Sequence, residues 1–110
     1  MQDASVAWLA LVDEGRYEAS WEQASDIFRS GVKKSDWLVT LERVREPLGA
    51  FRGRALRSVI GKTNPAGSPA GEYILMTFDA AFEQRQDVIE TLTMFQSDDG
   101  AWRTAGYFIK

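Results

Sequence analysis

The chain contains no cysteine and no histidine among its 110 residues. Without cysteine it can form no disulfide bond, hold no metal through thiolates and use no cysteine nucleophile. Without histidine it lacks the commonest general base and the commonest metal ligand. No apolar run approaches the length of a membrane-spanning helix. These absences exclude most zinc and hydrolytic chemistry, and we expect neither a metal nor a cofactor.

Net charge is also small, but the charges are segregated along the chain. The formal net charge is −3. Residues 1–28 carry one base against six acids, residues 29–62 nine bases against three acids, and residues 63–110 three bases against seven acids. A basic segment between acidic flanks could bind an anion or nucleic acid, but the acidic total favours charges that pair within the fold or are simply solvated. We therefore expect no nucleic-acid partner.

The first half of the sequence has a helical period. Apolar residues spaced by three and four predict a helix over residues 3–14 and a second over residues 17–29. A third helix is predicted to begin at Ser35, which is a suitable N-cap, and to end at Pro47 and Gly49.

After the third helix the apolar period changes to two, which is typical of strands. Strands are predicted over residues 54–61, 73–83, 88–96 and 101–109, and an Asp-Gly pair at 99–100 predicts a tight hairpin before the last one. In the second strand one face carries only apolar residues, namely Ile74, Met76, Phe78, Ala80 and Phe82. The sequence therefore predicts a single α+β domain over residues 1–110, with three N-terminal helices on a strongly curved four-stranded antiparallel sheet.

Short motifs follow one another in a fixed order along nearly the whole chain. They are Trp8-Leu9, Leu11-Val12-Asp13 with Gly15 and Tyr17, Ser20-Trp21, Arg45-Glu46-Pro47-Leu48-Gly49, Pro69-Ala70-Gly71-Glu72-Tyr73, Asp99-Gly100-Ala101-Trp102-Arg103 and Gly106-Tyr107. With the order of elements, they resemble a bacterial family, domain of unknown function 4019. The layout is also similar to the wider nuclear-transport-factor-2-like (cystatin-like) superfamily, which implies a cone-shaped sheet with helices on its concave side.

The resemblance does not select one function. That superfamily includes isomerases, dehydratases, ligand-binding domains and dimerisation modules. Members of the family are commonly exported, so the resemblance implies a periplasmic or secreted domain whose signal peptide has been removed. A cytoplasmic protein that begins at Met1 is the alternative.

Catalysis in that superfamily uses an Asp, or a His–Asp pair, in an apolar pocket that raises the carboxyl pKa. Glu90 alternates with apolar residues and can point inward, where Arg57 or Arg103 would pair with it. Asp79 lies on the face opposite the apolar set, and Asp13 is expected to be solvated in the last turn of its helix. We therefore expect no catalytic residue, with Glu90 and Asp79 as the candidates for the base of a metal-independent isomerase or dehydratase.

A small apolar or anionic ligand inside the cone is a second possibility. The candidate lining residues are Trp37, Arg54, Met76, Met94, Arg103 and Tyr107. For most of the aromatic residues, filling the core is the favoured alternative. Arg45, Arg52 and Arg54 are close in sequence and could clamp a carboxylate or phosphate. Alternatively, Arg45 caps its helix and the other two extend over the sheet.

Assembly through the sheet is the third possibility. A homodimer could bury a mixed face formed by Thr91, Thr93, Phe95, Arg103, Ala105 and Tyr107. In the last strand, either Trp102 points into the cone and Arg103 and Tyr107 face outward, or Arg103 and Tyr107 point in; we expect Trp102. The sequence thus predicts a non-catalytic binding or interaction domain with a small-molecule or protein partner, and the small isomerase or dehydratase is the alternative.

Overall fold

The computed structural model describes residues 2–110 of the chain. Helices come first and comprise α1 (Gln2–Asp13), α2 (Tyr17–Glu22), α3 (Asp26–Gly31), α4 (Lys34–Arg45) and a 3₁₀ helix (Glu46–Leu48). Strands follow and comprise β1 (Phe51–Thr63), β2 (Glu72–Phe82), β3 (Arg85–Gln96) and β4 (Trp102–Ile109). The predicted α+β class, with N-terminal helices and four antiparallel strands, is confirmed.

The predicted second helix is interrupted in its middle. Ser25 has an extended backbone, with φ −67° and ψ 160°, and its hydroxyl oxygen accepts a hydrogen bond from the Phe28 N–H at 3.2 Å. The N–H of Ser25 donates to the carbonyl of Thr104 in β4 at 2.8 Å. Ser25 is therefore the N-cap of a new helix. The expectation of three helices is wrong, because this cap and its bond to the sheet divide residues 17–29 into α2 and α3.

The strands form one sheet in the order β1-β2-β3-β4. Met76 of β2 lies opposite Leu92 of β3, and Ala80 lies opposite Val88. The apolar alternation predicted for β2 is therefore confirmed, since its members lie on one face with the buried residues of β3. The helices pack against this face, which we call the inner face; the opposite one is the outer face.

An extra residue in β4 breaks its alternation. Leu92 lies opposite Tyr107, but Met94 lies opposite Thr104, so two steps along β3 match three along β4. This β-bulge turns both Trp102 and Tyr107 to the inner face. The expected inward position of Trp102 is confirmed by its packing against the core. The accompanying expectation that Tyr107 then faces outward is wrong.

The core lies between the helices and the inner face. The larger cluster of buried residues comprises Trp8, Leu9, Leu11, Val12, Ala24, Phe28, Trp37, Leu41, Met76, Phe78, Leu92, Met94 and Tyr107, and a second cluster comprises Leu48, Ala80, Phe82 and Val88. α1 spans the inner face: the rings of Trp8 and Tyr107 of β4 lie with centroids 5.4 Å apart, and Asp13 reaches Arg54 of β1. None of the helices in the described part of the chain is both long and apolar enough to cross a membrane.

Candidate functional site

Five polar side chains meet on the inner face, and each comes from a different element. They are Asp13 at the end of α1, Arg45 at the end of α4, Arg54 of β1, Glu90 of β3 and Tyr107 of β4. We call this set the charge network. Its two acids and two bases cancel in formal charge, so the network as a whole is neutral.

Glu90 is the most deeply placed member, and its side chain is 0% exposed. Its Oε1 accepts a hydrogen bond from Nε of Arg54 at 2.7 Å, and its Oε2 accepts one from Nη2 of Arg54 at 3.2 Å. The hydroxyl of Tyr107 also donates to Oε2, and Nη1 of Arg45 lies 4.0 Å away. A carboxylate this deeply buried is costly unless it is paired and hydrogen-bonded. Both of its oxygens are engaged.

Asp13 joins the two arginines. Its Oδ1 accepts from Nη2 of Arg45 and from Nη2 of Arg54, each at 2.8 Å, and its Oδ2 accepts from Nη1 of Arg54 at 2.8 Å. The fork between Arg54 and Asp13 is bidentate, which is the strongest geometry for such a pair. The expectation of a solvated Asp13 is wrong, because its side chain is only 12% exposed.

The guanidinium groups of both arginines also lie on aromatic rings. Cζ of Arg45 is 4.6 Å from the ring centroid of Phe82, and Cζ of Arg54 is 4.1 Å from that of Phe51. Such contacts favour the cation over the ring face. Burial alone would lower the pKa of Arg54, but its hydrogen bonds to Asp13 and Glu90 outweigh burial and raise that pKa. Arg54 therefore keeps its charge in the interior.

Tyr107 links Glu90 to Arg45. Its hydroxyl donates to Oε2 of Glu90 and accepts from Nη1 of Arg45 at 3.3 Å. Burial, followed by the negative charge of Glu90, raises the pKa of Tyr107 above its usual value, and the nearby arginines offset only part of that rise. The hydroxyl therefore stays protonated in the folded protein at pH values where a solvated tyrosine ionises.

This shift predicts a loss of stability at alkaline pH. In the unfolded chain Tyr107 ionises near pH 10.0, whereas the folded protein retains the proton. The stability contributed by the neutral hydroxyl is fully present below about pH 10 and is lost as pH rises from there towards the folded pKa. In urea unfolding, the free energy of unfolding should decline more steeply above that pH in the wild type than in Tyr107→Phe. At neutral pH the variant should be less stable by about 1–3 kcal/mol. Equal alkaline slopes in the two proteins would contradict the prediction.

The network's own bonds limit the chemistry that it can perform. A general base needs an oxygen within reach of the substrate proton, and the oxygens of Glu90 are held by Arg54 and Tyr107. Arg54 is the partner, where Arg57 or Arg103 was expected. Among the side chains of residues 3–110, no buried nitrogen or oxygen lacks a hydrogen-bond partner. Within the same range, no group of His, Cys, Asp or Glu is arranged to hold a metal ion.

Besides Tyr107, three of the candidate ligand-lining residues lie in the core. Trp37, Met76 and Met94 are each less than a tenth exposed. Nε1 of Trp37 donates to Oγ of Ser20 at 3.0 Å, and its ring lies edge-on to that of Phe28, with centroids 4.8 Å apart. These side chains fill the space between the helices and the sheet in this part of the protein.

The remaining candidates lie at the surface, away from the network. Asp79 is paired with Arg57 at 3.4 Å on the outer face. Arg103 is paired with Asp99 at 2.9 Å, and this contact lowers the pKa of Asp99 to about 2. Arg52 is more than half exposed. The structure thus brings Arg45 and Arg54 together as a clamp, but leaves Arg52 out of it.

The anion held by this clamp is Asp13, which sequence reasoning missed. Arg45 was considered as a helix cap or as part of a site for an external anion, and its actual acceptor is a carboxylate of the same chain. A signal was available in the motifs that carry the family resemblance. They contain Asp13, Arg45 and Tyr107, three of the five members of the network.

Comparison with known proteins identifies a family. Residues 4–107 match a family described as "Protein of unknown function (DUF4019)". The match includes every residue of the charge network. No curated protein and no solved structure matches the chain.

Proposed function

The chain belongs to the DUF4019 family, and we propose that it is a non-catalytic interaction domain that assembles through the outer face of its sheet. The interior supports a structural role, because its buried polar side chains bond within the protein across the described residues. The observation that carries the proposal concerns the exposed outer face of the sheet. One end of the outer face bears both an exposed phenylalanine and a depression lined by small residues.

We also propose that the fold is a cone of the nuclear-transport-factor-2-like type. Two features support this: the helices precede an antiparallel meander, and β1, β2 and β3 run for 13, 11 and 12 residues. Long, twisted strands tend to curl. Dimerisation modules are among the functions that this resemblance implies.

The two ends of the outer face differ in what covers them. At one end Tyr73 lies opposite Phe95, with ring centroids 5.0 Å apart. The loop over residues 64–71 closes over this pair, since the Tyr73 hydroxyl donates to the carbonyl of Pro69 at 2.7 Å. At the other end Phe108 is 55% exposed. That open end is where we place the interface.

Phe108 occupies the position that Tyr107 was expected to hold in a dimer face. The bulge in β4 turns Tyr107 inward and leaves Phe108 on the outer face, opposite Thr91. On the same face, an open depression of about 520 Å³ is lined by Gly53, Ala55 and Ala81, among others. The small side chains leave room for an aromatic ring from a second copy.

A second copy also suits the charges at the rim of this depression. Arg57 lies there with Asp79 and Asp87, so both signs are present. In a two-fold dimer each copy contributes the same patch. A patch that holds both a protruding ring and a depression, with charges of both signs, can therefore complement itself.

We expect Phe108→Arg to convert a wild-type dimer into a monomer. Two charged residues would replace the two rings at the centre of the interface, and they would be buried without partners. Light scattering coupled to size-exclusion chromatography measures the mass directly. The fold should be retained, since exposed substitutions usually change stability by less than about 0.5 kcal/mol.

Val39→Arg is the matched control. Val39 lies on α4 and is 46% exposed, so the substitution introduces the same charge at a similar exposure on the helical side. This variant should remain dimeric. A wild-type protein that is monomeric over the whole concentration range would overturn the proposed assembly, as would a dimer that both variants weaken equally.

A further inference from the structure

The two edge strands of the sheet differ in the contacts that they make. β4 forms one edge, and its Thr104 carbonyl accepts a hydrogen bond from the N–H of Ser25, the N-cap of α3, at 2.8 Å. β1 forms the other edge and pairs with β2 alone. An open edge offers a row of backbone donors and acceptors to any extended chain that lies beside it.

β1 carries basic charge and exposed apolar side chains. Its sequence contains four bases and no acid: Arg52, Arg54, Arg57 and Lys62 are its only charged residues. Its three largest aliphatic side chains are about half exposed: Leu56 at 49%, Val59 at 47% and Ile60 at 51%. Arg54 is bonded within the charge network, whereas Arg52 and Arg57 are more than half exposed and lie 3.8 Å and 3.4 Å from Glu83 and Asp79. The edge therefore combines main-chain hydrogen-bonding groups and apolar contacts with Lys62 and two exposed arginines.

The aliphatic side chains of β1 lie on both faces. Leu56 and Val59 lie opposite Phe78 and Met76 on the inner face, whereas Ile60 lies opposite Leu75 on the outer face. An incoming strand presents alternate side chains to the two faces. Each face therefore offers it an apolar contact next to the edge.

Irregularities limit the length that a partner can pair with. The register of β1 against β2 shifts between Leu56 and Ser58, and again between Phe51 and Gly53. Residues 58–63 pair regularly with residues 72–77. Bulges and edge charges reduce indiscriminate pairing. The register shifts leave residues 58–63 as one regular run of six. Lys62 lies within this run and Arg57 directly precedes it.

We propose that β1 binds an extended acidic segment of a partner protein, in which acidic and aliphatic residues alternate, as a fifth strand of the sheet. This goes beyond assembly through the outer face and uses the edge of β1 over residues 58–63, whereas the depression on the outer face is lined by Gly53, Ala55 and Arg57 of that strand. A second copy of β1 is a poor occupant, because it would bring Lys62 and the exposed Arg52 and Arg57 to this edge and no acid. An acidic partner strand instead places carboxylates beside the bases of β1.

The test uses a fluorescein-labelled peptide in which Val alternates with Glu, and its counterpart in which Val alternates with Lys. Fluorescence anisotropy with the whole protein should show binding of the Glu peptide, weakened by added salt, and at least about tenfold weaker binding of the Lys peptide. Hydrogen exchange should show new protection within Phe51–Thr63 when the Glu peptide is bound.

Lys62→Glu should weaken binding of the Glu peptide by at least about tenfold. Lys33→Glu makes the same charge change at an exposed residue preceding α4 and should leave binding unchanged.

Equal binding of the two peptides, equal effects of the two variants, no binding, or protection confined to another strand would each overturn the proposal. Concentration-dependent protection of β1 without peptide would identify a second copy as the occupant instead. None of these results bears on the proposed dimer interface at Phe108, because that interface is tested separately by the molecular mass of the protein in solution.

Discussion

Replacing Glu90 with glutamine is expected to lower the free energy of unfolding by about 3–5 kcal/mol. Glutamine has nearly the same size, so the packing is kept and the charge alone is lost. Two guanidinium groups then share the single carboxylate of Asp13, and one positive charge stays buried without compensation. Since domains of this size are stable by about 5–15 kcal/mol, the loss is a large fraction of the total. Urea unfolding with linear extrapolation measures it.

Asp79→Asn is the matched control for this substitution. It removes the same charge from a carboxylate that is paired with Arg57 at 3.4 Å, but Asp79 is 63% exposed. An exposed pair of this kind contributes about 1 kcal/mol or less. If the two variants lost equal stability, burial of the charge would not be the reason that Glu90 matters.

The double substitution Arg54→Met with Glu90→Leu is expected to cost far less than the sum of its two single substitutions. Arg54→Met alone removes the arginine that engages both oxygens of Glu90, and should cost about 3–5 kcal/mol. The double variant removes both charges and leaves Asp13 paired with Arg45 at 2.8 Å. Replacing a buried ion pair by apolar side chains is often neutral.

A double-mutant cycle on the free energies of unfolding gives the coupling between Arg54 and Glu90. We expect about 3 kcal/mol. The comparison cycle, Arg57→Met with Asp79→Leu, probes an exposed pair and should give less than about 1 kcal/mol. Additive effects of Arg54→Met and Glu90→Leu would mean that the two side chains act independently, against the geometry of their hydrogen bonds.

The elements of the fold could be predicted where one local pattern dominates. β2 was predicted over residues 73–83 and lies at Glu72–Phe82, because its apolar residues alternate without a break. β1 was predicted over residues 54–61 and extends over Phe51–Thr63. Its added residues have no alternation of their own and are held by pairing with β2. Likewise, the break before α3 depends on the bond from Ser25 to Thr104, which joins residues far apart in sequence.

The charge network could be predicted only in part, because strand irregularities decide which side chains meet. Alternation placed Glu90 inward correctly. Its partner was not predictable, since the register shifts in β1 set Arg54 on the inner face and leave Arg57 with Asp79. The bulge in β4 similarly brings Tyr107 to Glu90. Bulges of this kind follow from tertiary pairing and leave little trace in the local sequence.

The charge network also has a kinetic consequence. Its hydrogen bonds join residues 62 apart for Arg45 and Tyr107, and 41 apart for Arg54 and Asp13. Closing such long loops is slow, so these contacts form after the local ones. Until then the four charged groups remain hydrated. Interactions that are absent from the transition state act on the unfolding rate. We therefore expect the network to set how long the native protein persists once formed, with little influence on how fast it folds.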